Sequence, residues 1–186
     1  MSIGLKRGTV HLEAHDPAWD ESARAVIAIL KSVLGGCAAD IQHVGSTAIP
    51  AIPAKPIVDI AVAAVSLDAV AQRDVALLAR GILFRRVQPK NASEDERFYV
   101  IGDTDARTHH IHIVPAGGEA WKNYIAFRDY LNARPDAARE YCALKEALAE
   151  RFYDNRELYT QGKAALIERL LARARAWARN ESSIEP

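Results

Sequence analysis

Between Glu21 and Leu34 the apolar residues Ala25, Val26, Ile29, Leu30 and Val33 recur at the spacing of one helical face, and Gly35-Gly36 ends the run. Ahead of it, His11-Leu12-Glu13 reads as a short strand, and Asp16-Pro17-Ala18-Trp19 as a turn leading into the helix with proline near its first position. The period then changes. Asp40 to Val44 predicts a short strand, Gly45 to Pro56 a loop of small residues and proline, and Ile57 to Val65 a strand buried on both faces, because the run is almost continuously apolar and β-branched. Helical spacing returns from Leu67 to Ala79, Gly81 breaks it, and a strand follows at about Ile82 to Arg86. Val87 to Glu96 is polar without a period and reads as a loop. Arg97 to Gly102 and His109 to Pro115 read as strands, with hairpin chemistry in Gly102-Asp103-Thr104-Asp105. After Pro115-Ala116-Gly117-Gly118, helical patterns fill Glu119 to Arg134, Asp136 to Phe152 and Glu157 to Asn180.

Strands mixed with helices, followed by a run of helices, predict an α/β (α+β) fold: a mixed sheet with helices packed on one side, rather than a regular βαβ alternation. A chain of 186 residues suits one domain, with residues 10–115 as the α/β core and 119–180 as a helical cap. No strict heptad persists through the charged helices, which argues against a coiled coil. No apolar run approaches the ~20 residues that span a bilayer, and Met1 to Val10 lacks a signal-peptide core, so the expected location is the cytoplasm, with no membrane association. The 24 basic and 24 acidic residues balance, so no overall field favours general nucleic-acid binding. Cys37 and Cys142 have no metal-ligand spacing and read as reduced thiols.

The chemistry-bearing residues fall in three groups. In His43-Val44-Gly45-Ser46-Thr47-Ala48-Ile49-Pro50, a Gly-Ser pair leaving a strand lets backbone N–H groups approach a phosphate, and the hydroxyls of Ser46 and Thr47 add donors there. Lys55 supplies positive charge nearby. Asp59 stands within Ile57, Val58, Ile60, Ala61 and Val62, where an acid is costly unless paired or bound to metal. In the second group, strand alternation puts His110 and His112 on one face and His109 and Ile111 on the other, so the paired imidazoles could bind a divalent ion or exchange protons. The third group sets basic residues beside aromatic ones: Arg97 with Phe98-Tyr99, Arg128 with Phe127 and Tyr130, Lys145 with Tyr141, and Lys163 with Tyr159. Each alone suits a solvated surface; convergence on one cleft would make an anion site.

Gly45-Ser46 followed by an acid on a hydrophobic strand is similar to the signature of the polymerase-beta-like nucleotidyltransferases. The ordered set of His43 to Thr47, Lys55 to Ile60, His109 to His112, Phe127 to Leu131, Tyr159 and Gly162-Lys163 resembles the GrpB family, from about Val10 to Leu171. The resemblance implies a nucleotidyltransferase-like α/β core with a packed helical part. It also implies a nucleotide or other phosphorylated small-molecule ligand, since family members occur fused behind dephospho-coenzyme A kinase domains. A superfamily strand carries two acids one residue apart, but here Ala61 stands where the second would be. Catalysis would then rest on Asp59, His110 and His112 holding a divalent metal (Mg, Mn or Zn), imidazoles favouring ions other than magnesium. Gly45, Ser46, Thr47, Lys55, Arg97, Arg128, Lys145 and Lys163 would hold the phosphates of a nucleoside triphosphate. The expected function is nucleotidyl or phosphoryl transfer to a small molecule. The alternatives are a non-catalytic module binding a nucleotide or coenzyme A-type ligand, favoured by Ala61, and an accessory protein.

Overall fold

The computed structural model describes residues 3–85, 95–103 and 105–182. The predicted loop from Val87 lies outside them up to residue 94, as do Arg86 and Thr104. Chain order is β1 (Leu5–Lys6), α1 (Pro17–Leu34), β2 (Ala38–Val44), β3 (Val58–Ala64), α2 (Leu67–Ala71), α3 (Asp74–Leu78), β4 (Leu83–Arg85), β5 (Arg97–Gly102) and β6 (Ala106–Pro115). The helices α4 (Glu119–Ala133), α5 (Pro135–Arg151), α6 (Arg156–Gly162) and α7 (Ala164–Ser182) complete it. The expected strand at His11 reduces to a single bridge between Glu13 and Ala54. Two predicted helices are each divided. The first breaks at Arg73 between α2 and α3, and the last at Lys163 between α6 and α7.

Local chemistry sets the helix ends. The Asp16 side chain accepts from the Ala18 backbone N–H at 2.9 Å, Pro17 opens α1, and Gly35 closes it at φ 51°. Ser66 and Asn155 cap α2 and α6 in the same way, through Ala69 and Leu158.

The sheet runs β2-β3-β6-β5-β4, with β1 on the margin against β6. β3 and β6 are parallel; the other pairs are antiparallel. The parallel register sets Asp59 opposite His110 and Ala61 opposite His112. Directly opposed residues share a face of the sheet, so this pairing gathers the chemistry that alternation had only sorted.

Helices lie on both faces of the sheet, not on one as the element order suggested. On the first face, Val58, Ile60, Val62, Ile111 and Ile113 pack against Trp19, Ala23 and Leu30 of α1 and Leu77 of α3. Burying a side chain such as Leu30 fully is worth roughly 1.5–3 kcal/mol. The second core joins Ile49 and Ile52 of the loop after β2 to Tyr130, Leu131, Tyr141, Leu166 and Leu170 of the last helices. These two apolar anchors, just after the Gly-Ser turn, hold it between sheet and helices. Cys37 and Cys142 are both free, and no helix among the described residues is long and apolar enough to cross a membrane.

Candidate functional site

β2 ends at Val44, directly opposite Asp59, and the chain turns sharply at Gly45 with φ 71°. A Cβ at that position would stand 2.4 Å from Asp59 Oδ2. Only glycine allows both the left-handed turn and the close approach of backbone to carboxylate.

Around Asp59 the parallel strands assemble a compact donor set. His110 Nδ1 lies 3.1 Å from Asp59 Oδ1, and His112 Nε2 lies 3.7 Å from the same oxygen. One ligand atom from each of the three residues falls within 4.8 Å of the others. Phe98, opposite His112 on β5, sets its ring 5.3 and 5.2 Å from the two imidazoles and closes that side. Burial opposes the charge on Asp59, but hydrogen bonds and attraction from His110 and His112 outweigh it and hold the carboxyl well below its usual range. Burial likewise opposes charge on His112, and the bonds to Asp59 and Glu96 reverse that, raising it to about 9. Asp59 keeps 29% of its side chain exposed, so an ion has access. One carboxylate with two imidazoles suits a divalent ion that accepts nitrogen as well as oxygen ligands, zinc before manganese, with coordination positions left open.

Beside this trio, a cleft of about 320 Å³ runs from Gly45 and Ser46 to a group of cations. Lys55 comes from the loop after β2, Lys145 from α5, Arg156 from α6 and Lys163 from the α6–α7 junction. Lys55 and Lys163 stand 5.1 and 4.5 Å from the Tyr159 ring centre, while Lys145 stands 5.2 Å from that of Tyr141 and donates to the Pro53 carbonyl. Burial, then repulsion from Lys163 and Arg156, lowers Lys55 to about 7, and burial with repulsion from Lys163 lowers Lys145 to about 7. The Tyr159 hydroxyl is buried without a hydrogen-bond partner among the described residues. Crowded cations beside an unused hydroxyl form a cleft whose electrostatic strain an anion relieves.

Not every sequence-predicted residue belongs to this group. Thr47 is 1% exposed, and its Oγ1 is 2.9 Å from His43 Nε2, whose Nδ1 is 3.2 Å from Asp20 Oδ1. Burial also lowers the pKa of His43. The hydroxyl–imidazole–carboxylate chain has the connectivity of a nucleophile relay, but with the Thr47 hydroxyl buried it pins the Gly-Ser turn instead. Arg97 lies on the opposite face of the sheet, 2.6 Å from Asp74 Oδ2, with its Nε donating to Tyr99 OH and its guanidinium over Phe84. Arg128 donates to Gln42 Oε1 at 2.9 Å and to the His43 carbonyl at 3.0 Å, so it braces the end of β2 behind Gly45 instead of entering the cleft wall.

Sequence reasoning missed Glu96, Tyr124 and Arg156. Glu96 Oε1 is 2.6 Å from His112 Nδ1, and Tyr124 OH donates to Glu96 Oε2 at 3.5 Å. No local motif marks Glu96; its position just before β5 was its sole signal. A second, larger cleft of about 680 Å³ shares Gly45 and Phe127 with the first and opens between α4 and α7 past Tyr124, Ile167 and Leu171.

Known proteins share this fold. Cid1, an RNA terminal uridylyl transferase, aligns with TM-score 0.50 over 75% of this chain and 44% of its own, at 17% identity, so the mixed α/β fold is nucleotidyltransferase-like. The dephospho-CoA kinase of Mycolicibacterium paratuberculosis is 30% identical over 195 residues, which take in 94% of this chain and 48% of that enzyme. The glutamate-rich protein GrpB of Alkalihalophilus pseudofirmus is 34% identical over 171 residues, 91% of this chain and 98% of the relative. The crystal structure of the conserved protein GrpB from Enterococcus faecalis matches with TM-score 0.80 at 28% identity, covering 90% of this chain and 99% of that one. The family model described as GrpB protein spans residues 9–173, and the chain therefore belongs to the GrpB family.

Proposed function

We propose that this protein transfers a nucleotidyl or phosphoryl group from a nucleoside triphosphate to a small molecule, with a divalent metal. The observation that carries the reading is the meeting, at Gly45, of a metal-type donor set and a cleft lined by one buried and three half-buried cations. Asp59, His110 and His112 would hold the ion, which when bound supplies Lewis-acid charge at the reacting phosphate. The backbone N–H groups of the Gly45–Ser46 turn and the Ser46 hydroxyl would receive phosphate oxygens. Lys55, Lys145, Lys163 and Arg156 would take up the negative charge that grows on the leaving pyrophosphate or nucleoside diphosphate as the acceptor, giving up its proton to solvent, bonds to phosphorus and the phosphoanhydride P–O bond breaks. The larger cleft past Tyr124 has room for an organic portion of the substrates.

The test is phosphorus NMR of purified protein with each nucleoside triphosphate and Mn²⁺ or Mg²⁺, beside Asp59→Ala. Turnover by the wild type that needs metal and falls at least about 100-fold in the variant supports transfer. If no nucleotide or metal binds, and Asp59→Ala alters stability alone, the reading is wrong. A second reading, a binding module that holds a nucleotide or coenzyme A-type ligand without consuming it, is favoured by Ala61 at the place of a second acid. Calorimetric saturation with no product would select it.

A further inference from the structure

Glu96 lies just before β5, with 1% of its side chain exposed. A carboxylate so fully withdrawn from water is costly unless charged or polar neighbours offset the loss. Its neighbours are specific. Oε1 is 2.6 Å from His112 Nδ1, and Tyr124 OH reaches Oε2. The far nitrogen of the same ring, His112 Nε2, faces Asp59 Oδ1 at 3.7 Å. An imidazole whose Nδ1 hydrogen is given to a carboxylate has its tautomer and ring plane fixed, and it offers a more basic Nε2 to a metal. Tyr124, with its ring 5.1 Å from that of His112, closes the arrangement from α4.

Charge makes the same case. In register with His112, β3 carries Ala61, which contributes no anion. Two neutral imidazoles and Asp59 alone leave a divalent ion half compensated; Glu96, on the outer side of His112, adds a second negative charge to that end of the site. We infer that Glu96 is a positioning residue that acts through His112, orienting and strengthening its Nε2 as a metal ligand and restoring from behind the ring the charge absent at position 61. This role rests on the metal site proposed above.

Cobalt(II) titration of the full chain tests it, because calorimetry gives affinity and the visible d–d band reports the ligand field. The wild type is expected to bind, with Glu96→Ala about 10–100-fold weaker and its band altered. Glu96→Gln keeps an acceptor for the Nδ1 hydrogen but not the charge, so it should recover part of the affinity; it also carries the test if the alanine variant does not fold. Glu96 variants that fold and bind cobalt as tightly as the wild type, with an unchanged band, overturn the role of Glu96 and leave the metal site standing. A wild type that takes up no cobalt overturns both.

Discussion

His109 and His110 are consecutive on β6, yet they serve two different regions of the molecule. His109 faces α1, is 5% exposed, and sets Nε2 3.0 Å from the Ser22 hydroxyl and Nδ1 2.9 Å from that of Thr108. Burial lowers its pKa to about 4 even though Asp59 pulls the other way. His110 faces α4 and meets Asp59 directly. The first face is filled by Val58, Ile60, Val62, Ile111 and Ile113, and its histidines, His43 and His109, have their ring nitrogens satisfied by hydroxyls and Asp20. The second face has Gly45, Ala61 and an open cleft where the first has large apolar side chains. A polar group with all its partners inside the fold serves stability. A titratable group that lines an open cleft, as Asp59, His110 and His112 do, is available to a ligand.

That contrast can be broken most severely at Gly45. Gly45→Ala places a methyl against Asp59 on a backbone that costs about 1–3 kcal/mol for an L-residue, and the displaced turn is expected to weaken tripolyphosphate and cobalt binding together by about 100-fold. Calorimetry of both ligands checks it; a loss confined to one would mean that the two halves of the site are separate.

An intermediate effect is expected from pH. Lys55 and Lys145 are charged below about 7 and lose their protons above it, so tripolyphosphate binding should be tighter at pH 6 than at pH 9, by about 10-fold. An affinity that stays level across that range would place the anion away from these lysines.

The smallest effect on binding belongs to the first face. His109→Ala should leave cobalt and phosphate affinities unchanged while costing roughly 1–3 kcal/mol of stability, by lost packing and an unpaired Ser22 hydroxyl. Its pH signature has a definite sign. Between pH 6.5 and about 4 the unfolded chain protonates at this histidine and the folded one does not, so wild type loses stability on acidification that the variant does not lose. Denaturant melts at pH 7 and pH 5 measure the difference.

Much of this division could be read from the chain. The period-two pattern of β6 separated His110 and His112 from His109 and Ile111, and the acid inside an apolar strand marked Asp59, because alternation along a strand is a property of the backbone itself. The same logic failed for Arg97. Alternation says which residues share a face but not which face, and only the pairing of Arg97 with Ile113 turned it away from the cleft. Thr47 failed differently, since its hydroxyl was drawn to His43 by a turn whose direction the motif does not encode.

By itself, then, the sequence determined the periodicities, helix caps and Gly-Ser turn, all of which rest on contacts within a few residues. The tertiary structure decided what required distant segments to meet. The parallel pairing of β3 with β6 brought Asp59 to His110 across 51 positions, the start of β5 brought Glu96 behind His112, and the fold of α5 and α6 carried Lys145, Arg156 and Lys163 to Lys55. Those groups repel or shed water at a cost when brought together, so no local preference could announce them. Their burial is sustained by the packing of two apolar cores on either side of the sheet.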